Sequence, residues 1–151
     1  MNEVVVEAQM MIRRPVAVVF EAFVNPDITT SFWFTKSSGR LALGKKVIWE
    51  WEMYGVATEV EVLEVVPNQQ IRIQWGDPPT TVEFVFTEME EGYTYVVIKN
   101  YGFGQEGEDL LREVIDSTGG FTTVLDGAKA FLEHGLALNL IADKFPQIKQ
   151  K

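Results

Sequence analysis

The sequence predicts an α+β fold: a curved antiparallel sheet of about seven strands, two short helices near its start, and a long C-terminal helix packed across it. Three observations predict it. From about Gly39 to Tyr101 the apolar spacing is two, and Gly44, Tyr54-Gly55, Pro67-Asn68, Asp77-Pro78-Pro79 and Glu91-Gly92 punctuate it as hairpins. Helical spacing flanks this block on both sides, and no gap inside it leaves room for crossover helices. The apolar stripe of the last helix needs a surface of matching size to cover, and the inner face of the meander provides it.

In chain order, Val4, Val5, Val6, Ala8, Met10 and Ile12 make an opening strand. Pro15 then starts a helix, because its missing N–H would be unpaired in the first turn anyway. Val16, Val19, Phe20 and Phe23 recur at helical spacing until Asn25-Pro26 breaks the run. A second short helix is expected over Asp27 to Phe34, where Phe32, Trp33 and Phe34 in succession supply enough aromatic area to cover an edge of the core. A short strand is expected over Gly39 to Leu43. In the next, Val47, Trp49, Trp51 and Met53 share one face, Lys46, Glu50 and Glu52 the other, with Ile48 and Tyr54 as apolar exceptions. The alternation returns in Ile71, Ile73 and Trp75 and again in Val82, Phe84 and Phe86, while Val56 to Val66 and Tyr93 to Tyr101 complete the sheet. Beyond Gly107 the helical period is weak over Asp109 to Ile115. It becomes strong from about Gly119 to Lys144, roughly seven turns, with Phe121, Val124, Leu125, Ala128, Leu132, Leu136 and Leu140 along one stripe. Residues 1–146 read as one domain and residues 147–151 as a frayed tail.

Composition narrows the function classes. The 22 acidic and 13 basic residues give a net charge of -9, which repels nucleic-acid phosphates and anionic lipid headgroups. With 0 cysteines there is no disulfide, thiolate metal site or cysteine nucleophile. The start, Met1-Asn2-Glu3, runs into a strand without a basic leader, and no apolar stretch is long enough to span a bilayer, so a cytoplasmic location is expected.

The order of elements resembles the helix-grip fold of the START and birch-pollen-allergen superfamily, called SRPBCC. The local text resembles the branch named after the activator of the heat-shock protein 90 ATPase. The resemblance runs over nearly the whole chain. It is carried by Arg14-Pro15 with Val18-Val19-Phe20-Glu21-Ala22-Phe23, by Trp33, and by Gly44 with Val47 and Trp49. Val62-Leu63-Glu64-Val65 with Pro67, Ile71 through Trp75, Thr94 with Val96 and Ile98, Gly102-Phe103, and Gly120-Phe121 with Leu125 and Leu132 complete it. Phe121 stands where this family usually has tryptophan, and Asn100 where it often has histidine. The resemblance implies a cavity between the long helix and the sheet that holds a small hydrophobic or amphipathic molecule, as a carrier or sensor.

The residues expected to line that cavity are Trp33, Trp49, Trp51, Trp75, Val82, Phe84 and Phe86, with Asn100, Phe121, Val124, Leu125 and Ala128. Filling a core explains the same aromatics without a ligand. Tyr95, Tyr101, Asn100 and the indole N–H groups are the polar groups expected to orient a ligand. Gly102-Phe103-Gly104-Gln105-Glu106-Gly107 spells GxGxxG, but it closes an antiparallel meander instead of opening a βαβ unit, and Glu106, Glu108 and Asp109 repel a pyrophosphate. It is read as a loop at the cavity mouth, with Asp109 to Ile115 as a movable flap. His134, the 1 histidine, makes no metal pair and falls on the polar side of the helix. The pairs Glu50/Glu52 and Glu59/Glu61 fall on the outer sheet face, and Lys36, Arg40, Lys45 and Lys46 form a basic cluster suited to an acidic partner or to charge balance. No metal, cofactor or catalytic residue is assigned. Two other classes remain open: a cofactor-free cyclase or hydratase using Tyr95, Tyr101 or Glu88 as acid or base, and a co-chaperone-like interaction domain. A homodimer is compatible with each.

Overall fold

The computed structural model describes residues 3–146; the expected tail at 147–151 lies outside them. Strands β1 (Val6–Ile12), β2 (Lys36–Ser37), β3 (Lys46–Trp51), β4 (Val56–Val66), β5 (Gln70–Trp75), β6 (Thr80–Glu88) and β7 (Thr94–Tyr101) form one 7-stranded sheet in the order β1-β7-β6-β5-β4-β3-β2. Every pairing is antiparallel. Helices α1 (Val16–Val24) and α2 (Pro26–Thr29) follow β1, while α3 (Gly107–His134) and the short α4 (Leu140–Lys144) close the chain.

The period-two pattern fixes the register. Ala8, Ile98, Phe84, Ile71 and Val65 lie opposite one another across five successive strands, so one row of apolar side chains crosses the inner face. A bulge between Val62 and Glu64 interrupts β4 and adds local bend and twist to the sheet. Helix α1 lays Val19, Phe20 and Phe23 on this face, and α3 covers it with Phe121, Val124, Leu125 and Ala128, all buried.

Two boundaries differ from the sequence expectation. Residues 39–43 form no strand: Ser37 and Ser38 turn the chain, and the Leu41 N–H donates to the Val24 carbonyl, so the segment lies along the end of α1 and buries Leu41. The short strand is Lys36–Ser37 instead. The long helix starts at Gly107 and ends at His134, so Asp109 to Ile115 belongs to a continuous helix and is no separate flap. Ser117, Thr118, Gly119 and Gly120 are poor helix formers. They are carried through because tertiary packing holds the next turn, while the hydroxyls of Thr118, Thr122 and Thr123 are satisfied by the carbonyls four residues back. At the other end Gly135 adopts φ 69, the left-handed position that ends helices, so Leu136 and Leu140 leave the stripe. Leu136 is exposed. The second short helix likewise stops at Thr29, and Phe32 to Phe34 follow it as buried turn residues.

The C-terminal end of α3 is fastened by a polar clamp. The Arg14 guanidinium donates to the free carbonyls of Leu132 and Glu133 (2.9 and 2.6 Å), and the Arg13 N–H donates to the Glu133 carboxylate (2.8 Å). Lys129 bridges the same carboxylate (2.6 Å) and the Met11 carbonyl (2.8 Å). Burial pushes the Glu133 carboxyl up, but the Arg13 N–H and the Lys129 ammonium outweigh it and leave its pKa below the ordinary 4.5. At Gly127 a methyl group would meet the Phe32 Cβ at 3.3 Å and the Phe32 carbonyl oxygen at 3.4 Å, so α3 crosses the turn after α2 where a larger side chain has no room.

Two outcomes follow from this packing. A depressed folded pKa gives stability that is present above pH 4.5 and lost as pH falls through the folded value. Acid titration of stability in Glu133→Gln should therefore lack part of the wild-type decline, and chemical denaturation of Glu133→Ala should show a loss of about 1–3 kcal/mol at neutral pH. Gly127→Leu should cost about 1–3 kcal/mol by overpacking against Phe32, read from the denaturation midpoint.

Candidate functional site

Only the second half of α3 is packed down on the sheet. Its buried residues begin at Phe121, while Leu111 and Ile115 in the first half are 58% and 60% exposed. Under this raised half lies a cavity of about 430 Å³. Its apolar wall is aromatic: Trp33, Trp51, Trp75, Phe103 and Phe121. The hairpin residues Gly76, Asp77 and Pro78 form one rim, and Ile141, Lys144 and Phe145 of α4 and the residue after it form another. Helix α3 contributes Glu113, Asp116, Ser117, Gly120, Phe121 and Val124, all on one helical face.

Trp33 is central to the wall. Its ring centroid lies 4.8 Å from that of Trp49, 6.0 Å from Trp75 and 6.0 Å from Phe121, in tilted or edge-on geometry. Trp49 itself stacks on Phe34 at 4.4 Å and is buried beneath this layer. Thus the cavity wall is backed by a second course of rings.

At the inner end a closed polar network joins sheet and helix. The buried Asn100 side chain donates to the Thr80 hydroxyl (3.0 Å) and the Thr81 carbonyl (2.9 Å), and its oxygen accepts from the Ser117 hydroxyl (2.8 Å). At the mouth the Gln105 side-chain oxygen is buried with no partner. Lys144 donates to the Thr123 hydroxyl (3.2 Å) and lies 5.8 Å over the Phe145 ring. The Tyr54 hydroxyl reaches the carbonyls of Ile141 and Phe145 at 3.0 and 2.7 Å, tying α4 over the cavity.

Of the residues expected at a ligand site, Trp33, Trp51, Trp75, Asn100, Phe121 and Val124 are on the cavity wall. Trp49, Val82, Phe84, Phe86, Leu125 and Ala128 lie in the core beneath it, off the lining. Tyr95 and Tyr101 alternate with the buried residues of β7 and face outward. The Tyr101 hydroxyl donates to Glu83 at 2.5 Å, and burial, with the Glu83 carboxylate beside it, pushes the phenol up to about 12. Neither tyrosine nor Glu88 lines the cavity. The loop read as a mouth does contribute Phe103 and Gln105.

The sequence reading missed the rim. Glu113, Asp116, Ser117, Gly120 and Val124 recur at three- and four-residue spacing, a polar stripe that continues into the apolar one. Splitting the helix near Gly119 hid that continuity. Asp77 and Pro78 read as turn residues, and the helix expected through Lys144 ends at His134, so Ile141 and Lys144 belong to α4 instead. A larger groove of about 660 Å³ runs along Glu3, Val4 and residues 103–107, sharing Phe103 and Gln105 with the cavity but none of its tryptophans. Among the described residues no helix is long and apolar enough to cross a membrane, and no three His, Asp or Glu residues group to hold a metal ion.

No curated protein matches the chain. Among solved structures, it is similar to protein SSP2350 from Staphylococcus saprophyticus, with TM-score 0.77, 29% identity, and 88% of this chain and 94% of that chain covered. It is similar also to DynU16, from the dynemicin biosynthetic locus, with TM-score 0.78, 21% identity, and 87% and 48% covered. The Aha1 dimer from Colwellia psychrerythraea has the same fold, with TM-score 0.74, 18% identity, and 87% and 98% covered. Residues 13–133, from the Arg14 clamp through Glu133 and thus including most of the cavity wall, match the family described as Activator of Hsp90 ATPase homolog 1-like protein, and the chain belongs to that family.

Proposed function

We propose that the protein is a cytoplasmic carrier or sensor that encloses a small apolar or amphipathic molecule between α3 and the sheet. One observation carries the reading. Gly120 sits inside a 28-residue helix, where glycine costs about 0.5–1 kcal/mol relative to alanine, and a methyl group there would meet nothing within 4 Å. No neighbour requires the glycine, and the space it leaves opens into an aromatic-walled cavity of about 430 Å³, within the usual ligand range of roughly 300–1,000 Å³. Enclosure would remove apolar ligand surface from water at about 25 cal/mol per Å², offset by ordering.

The raised half of α3 also supports a second reading. Leu111 and Ile115 are exposed one turn apart on it, which suits a co-chaperone-like contact or a homodimer, and stable co-purification of a chaperone would favour that face over the cavity.

Native mass spectrometry of gently purified protein, followed by organic extraction, should show a stoichiometric apolar adduct. A clean apo mass with no thermal shift across lipids and aromatic metabolites would overturn the carrier reading. Gly120→Ala should raise stability by about 0.5–1 kcal/mol in denaturant titration. Gly120→Trp should remain folded by circular dichroism and lose the adduct, because its side chain occupies the cavity. Ala128→Trp, sealed in the core with Ala128 0% exposed, should instead unfold the protein.

A further inference from the structure

The polar groups at the cavity mouth are mostly acceptors. Asp77, Glu113 and Asp116 lie on its lining, and among the described residues none of them makes an ion pair. The cation of the lining, Lys144, is turned to the Thr123 hydroxyl. Asn100 and Ser117 satisfy each other at the inner end, so they demand nothing of a ligand. Between the acceptors and the inner end the wall is aromatic, and ring faces attract cations while carboxylates repel anions.

We propose that the molecule held in this cavity is an amine: an apolar, ring-sized body against Trp33, Trp75 and Phe121, with a protonated nitrogen at the mouth donating to the Glu113 and Asp116 carboxylates. This rests on the cavity being a ligand site. An ammonium brings three donors and no acceptor, which matches a mouth short of donors. A fatty acid or other anionic amphiphile would place its carboxylate beside three like charges.

The test uses three probes with one body: naphthylmethylamine, naphthylmethanol and naphthoate, titrated calorimetrically at low and moderate salt. The amine should bind about tenfold more tightly than the alcohol, and the naphthoate more weakly than either. Glu113→Gln with Asp116→Asn should bring amine and alcohol together, and Gly120→Trp should abolish all binding. If alcohol and naphthoate match the amine in the wild type and Gly120→Trp still abolishes binding, the cavity reading stands and the amine assignment falls. An amine preference that survives in Gly120→Trp marks attraction to the acidic surface and overturns the assignment. If no probe binds, or all bind Gly120→Trp unchanged, the cavity reading falls and takes the assignment with it.

Discussion

The clamp between Arg14, Lys129 and Glu133 is the interaction on which the rest of the arrangement depends. It joins the end of β1 to the last turn of α3 through charge-assisted hydrogen bonds in a half-buried setting. Arg14 supplies donors to carbonyls that a helix end leaves without partners, and Gly135 turns the chain away directly after them. With the helix fixed there, the packing of Val124, Leu125 and Ala128 sets its height over the sheet, and its first half stands over the aromatic wall with a cavity between them.

That overhang is why the molecule has a cavity and not merely a core. Side chains under the second half of α3 fill space in the ordinary way, and Trp49, Phe34 and Phe84 are almost wholly buried. Under the first half the wall is equally aromatic, but the helix offers Gly120, Ser117 and Asp116 instead of leucines. The two halves of one helix therefore do different jobs: one stabilises the fold, and the other bounds a space. Behind Trp33 the wall continues as closely packed rings, with Trp49 against Trp33 and Phe34 stacked on Trp49.

Family membership and this geometry bear on different questions. The similarity to DynU16 and to the Aha1 dimer, both below 25% identity, speaks for the fold. The chemistry of the lining is this chain's own, with carboxylates at the mouth and a closed Asn100–Ser117 pair within. On the carrier reading, these groups matter more than the architecture for the choice of ligand.

The sequence by itself determined the sheet, its antiparallel order and which strand face is buried, because a period of two leaves no freedom once one face must leave water. It determined too that a C-terminal helix covers that face, and it singled out Trp33, Trp75, Phe121 and Asn100, whose size or polarity marks them on an inner face. Only the tertiary structure decided where α3 begins and ends: local propensity at Ser117 to Gly120 argues for a break, while packing of the following turns carries the helix through. It alone separated Trp51 and Trp75 on the lining from Trp49 beneath it, although all three share the buried face of their strands. Strand parity says which side a residue faces, but the height of the covering helix above it is set by contacts distant in sequence, here those of Arg14 with Leu132 and Glu133.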